Sequence, residues 1–250
     1  MDGNARAARR VLLLGGTAEA RELAVLLDGR PEFEVISSLA GRVAAPELPP
    51  GRTRVGGFGG PDELRAWLET ERIDAVIDAT HPFAARMTAS AVAATSAANV
   101  PLLLLRRPGW IAGAQDDWRR VPSLRAAAAN LPGKRVFLTT GRGSVTAFAS
   151  DTTRWFLIRS VEPPTPPTPP HAHILLAKGP FEVKDEIALM RRHAIDTLVT
   201  KDSGGQMTAA KLTAARHLAL PVIMIDRPPP PNAPTTSTAK SAAKWLFTQA

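Results

Sequence analysis

Short apolar runs separated by Ala-rich stretches of helical period recur along almost the whole chain, and this alternation restricts the fold more than any other feature. A strand joined to the next strand through a helix must run parallel to it, because the crossover returns the chain to the same end of the sheet. The first half predicts strands at 11–14, 34–38, 53–55, 75–79 and 102–105, with helices at 18–27, 62–71 and 83–98. Pro61 and Pro82 stand where helices start. The second half repeats the order, with strands at 136–140, 155–161, 173–177, 198–201 and 222–225 and helices at 124–130, 183–193 and 209–218. A last helix is expected at 238–247. With 250 residues the chain exceeds one small core. The expectation is an α/β protein of two Rossmann-like domains, 1–120 and 121–250, each a mostly parallel sheet flanked by helices. The boundary is expected between Pro108 and Pro132.

Of the 23 prolines, six fall at 163–170 and five at 228–234, so neither segment can continue a helix or a central strand. The first reads as a stiff extended loop, in preference to a proline-motif ligand, and the second as the lead into the last helix. Cysteine is absent, which excludes disulfides, thiolate nucleophiles and Cys-ligated metals. Tyrosine is absent too, which removes the phenolic acid of a Tyr-Lys reductase pair. A formal charge of +8 points to an anionic partner. The basic residues are scattered and aromatics make up 5%, so no nucleic-acid partner is expected. No run approaches the roughly 20 apolar residues of a membrane span, and the first apolar run is too short for a signal peptide; a cytoplasmic protein is expected.

The strongest local signal is VLLLGGTAEARELAVLL, a strand running through Gly15, Gly16 and Thr17 directly into a helix that opens with Glu19 and Ala20. Free N–H groups at such a helix start form a phosphate site, although a tight turn without a ligand has the same pattern. A NAD site carries an acid about 20 residues further on. Here the chain reads Ser37, Ser38, Leu39, Ala40, Gly41, Arg42, and a hydroxyl with an arginine favours a 2′-phosphate, hence NADP, over a solvated surface arginine. RVGGFGG, with Gly57, Phe58 and Gly59, follows the third strand and suits either close approach of a flat ligand or a flexible turn. DATHPFA, with Thr80 and His81, follows the fourth. His81 precedes Pro82 and is expected at the N-cap of the next helix, where a neutral capping role competes with a catalytic one. In the second half, LTTGRGS and TKDSGG place Gly141, Arg142, Lys201, Ser203 and Gly204 after strands, as candidate anion sites. His171, His173, His193 and His217 show no metal-ligand spacing, so no metal is expected.

GGTAEAR, SLAGR, RVGGFGG, VIDATHPFAA, RRPGW, GPF, TKDSGG and LPVIMIDRP, in this order, resemble the precorrin-6A reductases of cobalamin biosynthesis across nearly the whole chain. The resemblance implies an NADPH-dependent reduction of one macrocycle double bond in precorrin-6A, or its cobalt form, giving precorrin-6B. Where the family carries KNSGG or KNAGG this chain has KDSGG, with a carboxylate at Asp202. Candidate cofactor-binding residues are Gly15, Gly16, Thr17, Glu19, Ala20, Ser38, Arg42, Gly57 and Thr80. Candidate residues for the polycarboxylate substrate are Phe58, Gly59, His81, Arg107, Gly141, Arg142, Lys201, Ser203 and Gly204. With Cys and Tyr absent, His81 is the candidate catalytic residue; a neutral imidazole at a helix start would orient the macrocycle, the proton coming from water or a substrate carboxylic acid. Two other classes stand beside this reading. One is an NADP-sensing protein without turnover, and the other is a carbonyl reductase of the short-chain type, which the lack of tyrosine disfavours.

Overall fold

The computed structural model describes residues 8–41 and 48–249. The chain divides into two compact units, Met1–Arg107 with Pro228–Ala250, and Pro108–Arg227. The boundary thus falls at Pro108 instead of residue 120, and the C-terminal helix belongs to the first unit, not the second.

The first unit holds β1 (Arg9–Leu14), β2 (Phe33–Leu39), β3 (Arg52–Val55), β4 (Ala75–Asp78), β5 (Leu102–Leu105) and β12 (Thr235–Thr236). Their order is β12-β5-β4-β1-β2-β3, and every pairing is parallel. The fully apolar end of β1 is explained by helices on both faces. Val11 and Leu13 meet Leu23 and Leu27 of α1 (Ala18–Leu27) and Leu246 of α7 (Ala239–Thr248), whereas Leu12 and Leu14 meet Leu64 and Leu68 of α2 (Pro61–Thr70). Ala91 and Ala94 of α3 (Ala85–Ala98) complete that second layer, their small side chains suiting close approach to the sheet. The switch point lies at β1, which has β2 on one side and β4 on the other.

The second unit repeats this order with β6 (Trp118–Val121), β7 (Arg135–Leu138), β8 (Trp155–Ser160), β9 (Ala172–Leu176), β10 (Thr197–Lys201) and β11 (Val222–Ile225), arranged β6-β11-β10-β7-β8-β9. The proline-rich segment 161–171 lies between the parallel strands β8 and β9, where the stiff loop was expected. An edge strand is exchanged in sequence order. The strand after β5 pairs with β11, and the strand after β11 pairs with β5. Sequence reading missed both β6 and β12, because WRRV and TT are too short and too polar to carry a strand period.

The core of this unit gathers Phe137, Leu157, Leu198 and Met224 under α5 (Val183–Arg192) and α6 (Ala210–His217). It also buries charge. Arg159 of β8 and Glu186 of α5 form a two-pronged ion pair, and Phe181 covers the guanidinium at 3.7 Å. Lys211, 3% exposed, donates to the Thr208 carbonyl at 2.6 Å. Burial pushes its ammonium down from 10.5 to about 7, with the Arg159 charge adding to the effect and Glu186 opposing it. The folded chain therefore binds fewer protons than the unfolded chain between those values, so stability should rise with pH across that window and the penalty should be complete below it. Replacing Lys211 with Met should flatten the rise, which reaches at most about 1.4 kcal/mol per pH unit. Urea midpoints of the second unit, followed between about pH 7 and 9, check this; an unchanged slope in K211M would contradict it.

Candidate functional site

β1 ends in a turn that the sheet itself shapes. Gly15 donates its N–H to the Ser38 carbonyl at 2.9 Å, which extends the β1–β2 ladder by one bond. Gly16 follows at φ +107, a conformation that disfavours any side chain, and open space lies where its Cβ would be. Thr17 is the N-cap of α1, accepting from the Ala20 N–H at 3.1 Å and donating to the Ala79 carbonyl at 2.8 Å. The turn is thereby tied to the end of β4. Glu19, in the first helical turn, pairs with Arg107 at 2.7 Å, so its charge is countered, and Ala20 is buried against the core.

A hollow opens beside this turn, lined by Gly15, Gly16, Thr17, Ala20, Ser37 and Leu39. The Ser37 hydroxyl is buried there without a hydrogen-bond partner. An orphaned hydroxyl, an open glycine and the unpaired N–H groups of a helix start fit the phosphates of a dinucleotide.

Ser38, next along β2, faces the other side of the sheet and lies in register with Arg54 of β3. The Arg54 guanidinium donates to the Ser38 hydroxyl at 2.8 Å and to the carbonyls of Gly56 and Gly57, each at 3.1 Å. It lies 3.8 Å from the centre of the Phe58 ring, which meets Trp67 edge-on. The GGFGG segment, read from sequence as open to a flat ligand or flexible, is thus held by an arginine. Gly59, at φ +105, leads to Gly60, which precedes α2, and Pro61 stands at the helix start as expected. Arg42 lies outside the described residues.

Asp78, at the end of β4, is completely buried. Its carboxylate accepts from the Thr80 N–H at 3.0 Å, the Thr80 hydroxyl at 2.6 Å, the Thr88 hydroxyl at 2.6 Å and Arg106 at 3.0 Å. Arg106 also reaches the carbonyls of Thr80 and His81, at 3.2 and 3.3 Å. His81 is half-buried and is not an N-cap; α3 begins at Ala85 with Ala84 in that role. The reason is a turn. The His81 carbonyl accepts from the Ala84 N–H at 2.7 Å, and its Nδ1 accepts from the Phe83 N–H at 3.2 Å. With Nδ1 an acceptor, a neutral His81 carries its proton on Nε2.

In the second unit the expected residues collect at the ends of β7 and β10, again on the two sides of a switch point. Lys201 donates to the Ser144 hydroxyl at 2.6 Å, and Ser144 donates to the Thr140 carbonyl at 3.1 Å. Gly141, at φ +84, and the exposed Arg142 begin the 3-10 helix Arg142–Phe148. The Ser203 N–H donates to the Lys201 carbonyl at 2.7 Å. Gly204, at φ +65, has a packing reason, since a Cβ would come within 2.1 Å of the Pro108 carbonyl oxygen. Asp202 is buried, accepting from the Trp110 N–H at 3.0 Å and from Arg120 at 2.8 Å. The carboxylate therefore holds Trp110 against the TKDSGG loop, and it is paid for by a cation on β6.

The candidates thus form two sets. Gly15, Gly16, Thr17, Glu19, Ala20, Ser38, Gly57, Phe58, Gly59, Thr80, His81 and Arg107 belong to the first unit, and Gly141, Arg142, Lys201, Ser203 and Gly204 to the second. Sequence reading missed Arg54, Arg106 and Asp78. Their roles depend on partners that only the folded sheet supplies, Ser38 for Arg54 and the Thr80, Thr88 and Arg106 donors for Asp78. Among the described residues, no group of three His, Asp or Glu is placed to hold a metal, and no helix is long and apolar enough to cross a membrane.

The family model described as precorrin-6x reductase CbiJ/CobK matches residues 10–247. A precorrin-6A reductase of Rhodococcus erythropolis is 51% identical over 96% of this chain and 98% of its own length. One of Mycobacterium tuberculosis is 49% identical over 95% and 97%. A solved structure, CobK precorrin-6A reductase, superposes with a TM-score of 0.90 at 44% identity, covering 96% of this chain and 97% of that one. Two parallel sheets of this order and a match along nearly the entire length lead to one conclusion: the chain is an oxidoreductase belonging to the precorrin-6A reductase family of cobalamin biosynthesis.

Proposed function

We propose that this chain reduces one macrocycle double bond of precorrin-6A, giving precorrin-6B, with NADPH as the donor, in the cytoplasm. The observation that carries the cofactor reading is the hollow at the β1–α1 turn, where an open Gly16 and the orphaned Ser37 hydroxyl await a phosphate. When bound, NADPH supplies a hydride. The chain's own tasks are to orient two large ligands and exclude water. Gly15, Gly16 and the N–H groups following Thr17 hold the pyrophosphate, and Arg107 counters Glu19 so that no free carboxylate opposes it. Precorrins carry acetate and propionate arms, which suit a chain of formal charge +8. Lys201 and Arg142 are the side chains suited to these carboxylates, with the Ser203 hydroxyl a further candidate donor.

His81 offers an Nε2–H hydrogen bond from a ring fixed by the Phe83 N–H, while Arg106 and Asp78 hold the backbone beneath it. That is an orienting role, with the proton drawn from water or a substrate carboxylic acid. Incubating the purified chain with NADPH and precorrin-6A while following both absorbances tests the function directly. One NADPH consumed per macrocycle supports it; dinucleotide binding without turnover would favour a sensor.

Two further outcomes are expected. His81→Ala should slow single-turnover hydride transfer by less than about 10²-fold, whereas a loss beyond about 10³-fold with fold and NADPH affinity intact would make His81 the essential acid. The KM for the macrocycle should rise as ionic strength increases from about 0.05 to 0.3 M, because several charge pairs are screened together. A KM indifferent to salt would contradict the carboxylate contacts.

A further inference from the structure

The end of β2 is where a dinucleotide fold meets the adenosine ribose, and an acid there selects the free 2′-hydroxyl of NAD. In this chain the last polar residue of that strand is Ser38, followed only by Leu39, and its hydroxyl oxygen accepts from the Arg54 guanidinium. Ser38 is therefore a strut under Arg54.

Arg54 has the properties of an anion receptor in waiting. It is half-buried, and burial lowers its pKa from the ordinary value, so the site disfavours its charge unless an anion is supplied. Arg10, Arg52, Arg106 and Arg107 of the same unit pair with carboxylates, but among the described residues Arg54 has none within ion-pair distance. Its three hydrogen bonds, two from Nη1 and one from Nη2, leave the Nε proton and one Nη2 proton unclaimed by those acceptors. Phe58 lies against the guanidinium at 3.8 Å and limits its movement. Such a pre-aligned fork matches a phosphate monoester, and a lysine ammonium would not reproduce it.

We infer that Arg54, braced by Ser38 and by the Gly56 and Gly57 carbonyls, is the receptor for the 2′-phosphate and hence the residue that separates NADPH from NADH. The inference rests on the proposal that NADPH is the donor and names the residue that would make the choice. It transfers the selecting role from Ser38 and Arg42 to an arginine on the neighbouring strand. The independent sign that a dinucleotide belongs at this end of the sheet is the Ser37 hydroxyl, one residue earlier on β2 and on its other face, buried without a partner in the hollow of the glycine turn.

The test is equilibrium binding to the full chain, without substrate, of NADPH, NADH, 2′,5′-ADP and 5′-AMP. Arg54→Ala should weaken NADPH and 2′,5′-ADP by about ten- to hundredfold and leave NADH and 5′-AMP within about threefold. Ser38→Ala, which keeps the guanidinium but removes one brace, should lower the preference for 2′,5′-ADP over 5′-AMP by a smaller factor, and Arg54→Lys should recover only part of it. Both milder variants report even if Arg54→Ala unfolds the GGFGG segment. An NADPH-to-NADH preference left undiminished in both Arg54→Lys and Ser38→Ala, or equal losses for both dinucleotides, would overturn the inference while leaving the cofactor reading in place. Weakened precorrin binding with unchanged dinucleotide affinities would overturn it also, by placing Arg54 on the substrate. A wild-type chain that bound neither dinucleotide would remove the cofactor reading, and this inference with it.

Discussion

Asp78 is a carboxylate with no exposure to water at the end of a fully buried strand, a position that carries a heavy desolvation cost unless every lone pair is met. Thr80, Thr88 and Arg106 meet it with four donors, and in doing so they fix three elements at once. Thr80 sets the turn after β4, Thr88 anchors the first turns of α3, and Arg106 ties in the end of β5. Arg106 has bonds left for the carbonyls under His81, so the buried charge and the placement of the candidate catalytic imidazole are one construction. The glycine turn is attached to the same region through the Thr17 hydroxyl and the Ala79 carbonyl.

The second unit uses buried charge in the same way at the carboxyl end of its sheet, where Arg120 holds Asp202 beneath the TKDSGG loop. Hydrogen bonding to Asp202 is the largest influence raising the Arg120 pKa above its ordinary value, so the guanidinium holds its charge more firmly there. In both units the loops that carry the candidate residues are therefore braced from below by an aspartate and an arginine brought together by the strand order of the sheet, from neighbouring strands in the first unit and across β11 in the second. Loops of this kind keep their donors in place before a ligand arrives, which reduces the ordering cost of binding and suits a reaction that depends on placing two ligands.

Most of the elements were legible in the chain because their signals are local. The run at β1, the helix behind it and the glycines between them state strand, turn and helix within a short window, and Pro61 marks the start of α2 as expected. Pro82 misled the reading of α3, since the backbone N–H groups that a helix start would leave open are instead taken by His81, and this delays the helix to Ala85. The family motifs were equally plain and include Arg54 and Arg106, but a motif does not say which carbonyls or carboxylates those arginines hold.

What the sequence by itself determined is the set of local units and the chemistry available to them: parallel βα repeats, a glycine turn between β1 and α1, and a chain without thiol or phenol. What only the tertiary structure decided is which distant segments complete each unit. The unforeseen β6 pairs with β11 and the unforeseen β12 with β5, Arg54 finds Ser38 across a strand pair, and Arg120 finds Asp202. The physical reason is that pairing of a short polar strand, and compensation of a buried charge, gain their free energy from partners far along the chain. No periodicity within either segment reports that gain.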